Sequence, residues 1–153
     1  MWLRRFQIIA VLMGISACSF DGEELRKYLP VEIAEAPVLY SERDILFCAV
    51  AIYQLPEGIE QDDLPLSEPD RSTSEWLELP LDGQVDVETS FATQALFNGD
   101  DCFESEAQQI TGLSKLSDYY SSERTGFFIE VRHDLILVHD TTLDMIIISS
   151  RAR

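Results

Sequence analysis

The chain has 153 residues, of which 46% are hydrophobic and 25% are charged, and its formal net charge at pH 7 is −17. This length suits one domain with its own hydrophobic core, and the apolar content excludes a chain that is disordered throughout. The negative charge excludes DNA and RNA as partners, because the protein surface and the phosphate backbone repel each other.

The first eighteen residues have the composition of an export leader. Arg4 and Arg5 give a positively charged start, and an apolar run over residues 8–15 follows. A membrane-spanning helix needs about 20 predominantly apolar residues, so this run is too short to cross a bilayer. The abrupt change to polar residues over 19–24 argues against a buried helix.

The end of this leader carries a specific motif. Residues Ile15-Ser16-Ala17-Cys18 resemble the lipobox of bacterial lipoproteins, in which an aliphatic residue and two small residues precede a lipidated cysteine. The resemblance implies that residues 1–17 are a signal peptide and that Cys18 carries a diacylglyceryl thioether and usually an acylated amine. Two or more acyl chains give a stable membrane anchor. The alternative is an ordinary secretory signal that is cleaved before an unmodified Cys18.

The residue after the cysteine bears on the destination. Residue 19 is Ser and not Asp, and this pattern resembles that of lipoproteins sorted to the outer membrane. The expected location is the periplasmic side of the bacterial outer membrane, with the membrane as a partner through the anchor at Cys18.

Residues 18–40 are predicted to be a tether, and residues 41–153 a single acidic globular domain. The tether is mostly polar, and Pro30 interrupts a stretch that can form one or two helical turns. Such turns would allow Leu25 and Leu29 to pack back on the domain.

The first predicted core element is a strand over residues 44–54. Apolar residues occupy both alternating faces from Ile45 to Tyr53, which is typical of a strand buried on two sides. A buried helix is the alternative, because periodicity alone does not separate the two. Pro56 and Gly58 end the element.

Cys48, in this strand, and Cys102 are predicted to form a disulfide. With Cys18 lipidated, these two cysteines remain as an even pair in an oxidising compartment. The bridge would stabilise the fold by about 4 kcal/mol in the chain-entropy model. Two free buried thiols are the alternative. The cysteine spacing matches no zinc site.

Residues 55–74 are predicted to be a mobile acidic loop, because three prolines and six acidic residues occur in this stretch. Its carboxylates lack the regular alternation of a calcium-binding loop. Between Asp44 and Ser114, sixteen acidic residues accompany one basic residue, Arg71. Such a surface suits a basic protein partner, divalent cations, or solubility alone.

The middle of the chain predicts short elements. Residues 76–79 suit a strand with Trp76 in the core, residues 85–97 a short strand followed by a helix, and residues 114–120 one or two helical turns. Residues 98–99, Asn-Gly, suit a hairpin turn as an alternative to the end of the helix.

A cluster of carboxylates near Cys102 could hold a cation. Its members are Asp100, Asp101, Glu104 and Glu106. No metal ligand is assigned among them, because solubility is the simpler interpretation of an acidic surface.

The clearest pattern is at the C-terminal end, where apolar runs over residues 127–132, 135–139 and 143–149 are separated by short turns. Connections of this length join adjacent antiparallel strands. The sequence therefore predicts an α+β fold: a small, mainly antiparallel sheet with a C-terminal three-strand meander and one or two short helices.

The meander also contains both histidines, in the pairs His133-Asp134 and His139-Asp140. A carboxylate can fix the tautomer of an imidazole and raise its basicity. Neighbouring residues of a strand point to opposite faces, however, so neither aspartate automatically orients its neighbour. Turn formation is the simpler interpretation. Neither a nucleophile elbow nor a phosphate loop accompanies the pairs, and no catalytic residue or cofactor is assigned.

The sequence favours a lipid-anchored cell-envelope protein that acts by binding or scaffolding, with another envelope protein as its partner. A periplasmic hydrolase that uses His133 or His139 is one alternative. Divalent-cation binding by the acidic surface is another.

We predict that Cys18→Ala abolishes lipid attachment and releases or mislocalises the protein, because the thiol is the acceptor for the diacylglyceryl group. Metabolic labelling with palmitate and membrane fractionation measure the two effects. Ser19→Ala is the control, since it leaves the cysteine in place. Unchanged membrane fractionation of Cys18→Ala would refute the anchor.

Overall fold

The computed structural model describes residues 22–44, 46–64, 76–84, 90–121, 123–132 and 134–151. The leader, the lipobox with Cys18, and His133 lie outside these residues. So do residues 65–74 of the predicted acidic loop and the predicted strand at residues 85–89.

A six-stranded antiparallel sheet forms the centre of the domain, with the strand order β1-β2-β6-β5-β4-β3. The strands are β1 Val38–Asp44, β2 Cys48–Gln54, β3 Leu77–Glu78, β4 Gly126–Arg132, β5 Leu135–Asp140 and β6 Met145–Arg151. Strands β4, β5 and β6 are adjacent and follow one another in the chain. The predicted α+β fold with a C-terminal meander is confirmed.

Short helices cover the sheet. The α-helices are α1 Glu23–Arg26, α2 Phe91–Asn98 and α3 Ser105–Thr111, and 3-10 helices span Val31–Ile33, Gln61–Asp63, Gly99–Cys102 and Leu116–Tyr120. The Ser90 hydroxyl caps α2 by accepting from the backbone N–H of Thr93 at 3.4 Å. Gly99 continues α2 into a 3-10 helix, so residues 98–99 form a helical junction and not a hairpin turn. Helix α3 is absent from the sequence prediction.

The inner strands are buried on both faces. All six residues of β5 and six of the seven in β2 are buried. Val50 and Ile52 of β2 belong to one hydrophobic cluster, while Ala51 and Tyr53 belong to a second cluster on the other face. A sheet of this kind needs a covering layer on each side.

The first layer consists of α2, α3 and the 3-10 helices that follow them. Leu96 and Leu116 are fully buried in the same cluster as Val50 and Ile147 of the sheet. Gly99 lets this layer approach the sheet closely, because a Cβ atom there would overlap Ser149 Oγ of β6 and also the Leu116 side chain.

The second layer is the N-terminal segment, residues 22–36. Leu25, Leu29 and Ile33 are buried in the cluster that contains Tyr53, whose hydroxyl donates to the Gly22 carbonyl oxygen at 2.7 Å. The predicted packing of Leu25 and Leu29 on the domain is therefore observed. The structure differs from a free tether over residues 22–40, and β1 already begins at Val38. The reason is that this segment shields apolar side chains of the sheet from water.

A disulfide joins Cys48 at the start of β2 to Cys102 in the 3-10 helix, with a Cα–Cα distance of 6.0 Å. The alternative of two free thiols is wrong. Tyr40 reinforces the junction, since its hydroxyl donates to the Cys102 carbonyl oxygen at 2.7 Å and accepts from the Glu104 N–H at 3.2 Å. Burial raises the pKa of Tyr40 to about 12, so the hydroxyl keeps its proton at neutral pH.

The strand predicted over residues 44–54 is shorter than expected. Strand β2 begins at Cys48, while Leu46 and Phe47 lie in the turn of the β1–β2 hairpin and are exposed. In the part of the chain that the structure describes, no helix is long and apolar enough to cross a membrane.

We predict that the double variant Cys48→Ala/Cys102→Ala loses about 4 kcal/mol of unfolding free energy, because the disulfide restricts the unfolded chain across a separation of 54 residues. Denaturant unfolding measures the loss, and the reduced wild-type protein is the matched control. Alkylation of the exported protein that finds two free thiols would contradict the bridge.

Candidate functional site

An open cleft lies on the second face of the sheet, between strands β4–β5 and the segment Ile59–Leu64. It consists of two adjoining depressions of about 430 and 390 Å³, which share Gln61, Asp62 and Phe127. We call it the acidic cleft. Its apolar lining residues are Ile59, Leu64, Trp76 and Phe127, and its acidic ones are Glu60, Asp62, Glu78 and Asp144. Lys and Arg do not occur among the described residues of the lining.

The wall Ile59–Leu64 belongs to the predicted mobile loop, yet it folds onto the sheet. Glu60 and Asp63 cap the 3-10 helix by a pair of hydrogen bonds, in which the Glu60 N–H donates to Asp63 Oδ2 at 3.0 Å. Leu64 is only 1% exposed and packs in the second-face cluster. Burial of Leu64 therefore fixes this wall against the sheet.

His139 fastens the same wall to β5. Its side chain is buried, and its Nδ1 lies 2.8 Å from Gln61 Oε1. Phe127 stacks beside the imidazole, with ring centroids 6.1 Å apart and 28° between the planes. Burial lowers the pKa of His139, although Asp140 and Asp144 act in the opposite direction. The imidazole is therefore neutral at pH 7, with its Nδ1 hydrogen donated to Gln61.

The other end of the Gln61 amide is unusual. Its Nε2 atom is buried and has no hydrogen-bond partner among the described residues. An unsatisfied buried donor costs about 1–3 kcal/mol. Because this atom is shielded from solvent, it offers no hydrogen to a molecule bound in the open cleft.

Asp140 does not orient His139. Its carboxylate points into the first layer, where Oδ2 accepts from the Tyr119 hydroxyl at 2.7 Å and pairs with Arg124 at 3.3 Å. Its Oδ1 accepts from the backbone N–H groups of Thr142 and Leu143 at 2.9 and 3.1 Å. Burial and the adjacent carboxylate raise the pKa of Tyr119. His139 and Asp140 thus both lie in β5 and make separate contacts on opposite faces of the sheet, as alternation along a strand predicts, and only Asp140 also stabilises the turn that follows.

The carboxylate cluster near Cys102 is also used by the fold. Asp100 accepts from the backbone N–H and the hydroxyl of Ser117, both at 2.7 Å. Across the described ranges, no group of three or more His, Cys, Asp and Glu side chains is arranged to hold a metal ion.

Neither a protein family nor a curated protein nor a solved structure matches this chain. The function must therefore be argued from the geometry of the acidic cleft.

The sequence singled out His139, but not the side chains it meets. Gln61 lies 78 residues earlier in the chain, inside a stretch that is otherwise recognisable only by its acidity. Phe127 follows the alternation of β4 and gives no separate signal. The disulfide lies at the other end of the sheet, because Cys48 pairs with Arg151 while His139 pairs with Phe127 and Ile146.

We predict that the stability of the protein falls with acidification through His139. Because burial lowers its pKa in the folded state below the ordinary value of 6.5, the unfolded state takes up the proton first as the pH falls. The stability that the neutral imidazole contributes is fully present above pH 6.5, and it is lost as the pH falls towards the pKa of His139 in the folded state.

His139→Asn is the matched variant, since its amide keeps a donor for Gln61 but does not titrate. Denaturant unfolding from about pH 8 to about pH 5 should show the wild type losing more stability than the variant. Parallel pH profiles of the two proteins would contradict the assignment.

Proposed function

We propose that this protein is a lipid-anchored protein of the bacterial outer membrane that binds a periplasmic protein partner through the acidic cleft. The resemblance of Ile15-Ser16-Ala17-Cys18 to a lipobox supports the anchor. The disulfide between Cys48 and Cys102 supports export, because structural disulfides form and persist in oxidising compartments.

The chemistry of the cleft lining carries the proposal. Trp76 and Phe127 offer half-buried aromatic surface, while the rim formed by Glu60, Asp62 and Glu78 is exposed and negatively charged. Aromatic residues in a desolvated centre supply most of the binding energy at protein interfaces, and rim charges select the partner and speed its approach. The fitting partner is a segment with an apolar anchor residue flanked by Lys or Arg.

The wall of the acidic cleft is preorganised for this contact. Since His139 Nδ1 lies 2.8 Å from Gln61 Oε1, the wall is held in place and loses little conformational freedom on binding.

The alternatives lack comparable support. In a hydrolase, His139 would need a free nitrogen facing a nucleophile, but its Nδ1 is engaged with Gln61 and its side chain is buried. For cation binding, the described carboxylates lack the convergent arrangement that Ca²⁺ or Mg²⁺ requires.

We predict that a synthetic peptide of alternating Lys and Leu residues binds the acidic cleft saturably and perturbs the fluorescence of Trp76. Once the leader with Trp2 is removed, Trp76 is the single tryptophan, so the signal reports directly on the cleft. Binding should weaken with added salt, because the rim charges are exposed and screened.

The double variant Asp62→Lys/Glu78→Lys should weaken this binding about tenfold or more, equivalent to about 1.4 kcal/mol. Asp101→Lys/Glu106→Lys is the control, because it changes the net charge equally on exposed residues of the first layer. Equal weakening by both pairs would show a general attraction to an acidic protein and would overturn the cleft as the binding site.

A further inference from the structure

The turn of the β1–β2 hairpin exposes two neighbouring large apolar side chains. Leu46 is 74% exposed and Phe47 is 54% exposed. In the described part of the chain, the other large hydrophobic residues that are exposed, Val31 and Phe97, stand singly on other elements. Isolated exposed apolar residues are ordinary, whereas a contiguous pair at a protruding turn indicates a surface that meets something apolar.

The N-terminal end of the folded domain crosses the β1–β2 hairpin. Gly22 lies against Val38 and against Ser41 and Ala51, and the last two form one row of the β1–β2 ladder. Two residues on, the Glu24 carboxylate pairs with Arg43 at 2.8 Å, next to the last row of the hairpin. Gly22, the first residue that the structure describes, therefore lies beside the hairpin.

The length of that preceding chain limits where a membrane can lie. Cys18 comes four residues before Gly22, and four extended residues span at most about 14 Å. The hairpin extends beyond the row of Ser41 and Ala51 by about four residues, which is roughly 13 Å at the rise of a strand. Acyl chains on Cys18 can thus enter a membrane at the same level as Leu46 and Phe47.

We propose that Leu46 and Phe47 insert into the lipid surface beside the acyl chains on Cys18, so that the domain is held at two points with a fixed orientation. The inference rests on the proposed lipid anchor. Leucine and phenylalanine are side chains that bury readily at the boundary between headgroups and acyl chains.

Charges around the turn indicate that apolar insertion dominates. Arg43 and Arg151 lie near the turn together with Glu24, Glu42 and Asp44, so the turn has no excess of cations that would attract it to anionic headgroups. The Asp44 carboxylate also accepts from the backbone N–H of Leu46 at 2.8 Å and stabilises the turn. Lipid contact should therefore depend weakly on salt, in contrast to peptide binding at the acidic cleft.

Insertion at this turn points the acidic cleft away from the membrane. The cleft lies at the row of Phe127, His139 and Ile146, and the hairpin turn follows the row of Cys48 and Arg151 at the opposite end of the strands. The cleft would then open into the periplasm, where a soluble segment of a partner can reach it.

Depth-dependent quenching tests the proposal on the mature lipidated protein in vesicles of phosphatidylethanolamine and phosphatidylglycerol with brominated acyl chains. A single tryptophan is introduced into a Trp76→Phe background by Phe47→Trp. Phe97→Trp on α2 is the matched control. Val31→Trp tests the alternative orientation, in which the N-terminal layer faces the lipid. Quenching should be several-fold stronger at position 47 than at positions 97 and 31.

A second variant removes the apolar pair without adding a fluorophore. Leu46→Ser/Phe47→Ser in the lipidated protein should transfer to acceptor vesicles several-fold faster than the wild type, at low and high salt alike.

The outcomes separate the two proposals. Suppose that mass spectrometry finds lipid on Cys18. If position 47 is then quenched no more than positions 97 and 31, or if the transfer rate of the double variant equals that of the wild type, the insertion is overturned and the anchor is retained. An unmodified Cys18 overturns both.

Discussion

The burial of β2, β5 and β6 on both faces is the constraint on which the rest of the structure depends. When a strand has apolar side chains on both faces, one apolar face stays exposed to water unless a separate layer covers each face. Helices α2 and α3 cover the first face, and Leu25, Leu29 and Ile33 of the N-terminal segment cover the second. The disulfide Cys48–Cys102 ties the first layer to the sheet. Among the described residues, no covalent bond ties the second layer to the sheet. Packing, the Tyr53–Gly22 hydrogen bond, the Glu24–Arg43 ion pair and the stacking of Arg26 over the Tyr53 ring hold it there.

This second layer links the fold to the proposed function. Since the chain is packed on the sheet from Gly22 onward, the proposed anchor at Cys18 would hold the domain close to the membrane and not on a long flexible linker. The same face continues into the acidic cleft, whose wall is secured by Leu64 and by the contact between His139 and Gln61. Attachment and binding would thus occupy opposite ends of one sheet, and the two need not compete for surface.

The sequence predicts those parts of the fold that leave a local trace. Three apolar runs with short turns identify the meander, and cysteine parity identifies the disulfide. For the N-terminal layer the sequence indicates only that Leu25 and Leu29 can pack on the domain, because the extent of the layer depends on the apolar face that it covers. Leu46 and Phe47 extend the hydrophobic run of β2 and so resemble strand residues, although they form its exposed turn. The cleft depends on contacts between Gln61 and His139, which are far apart in the chain, and no local pattern reports such a pairing.

Hydrogen exchange over residues 25–36 of the lipidated protein in vesicles tests most directly whether this segment is a structural layer. The backbone N–H groups of Leu29, Ile33 and Ala36 donate to carbonyl oxygens within the segment at 2.9, 3.0 and 2.9 Å. If the segment covers the sheet, these amides should exchange far more slowly than an unstructured chain, together with their buried neighbours. If these amides exchange at the rate of an unstructured chain while the amides of the sheet stay protected, the result contradicts both the two-layer account and the short distance between anchor and domain.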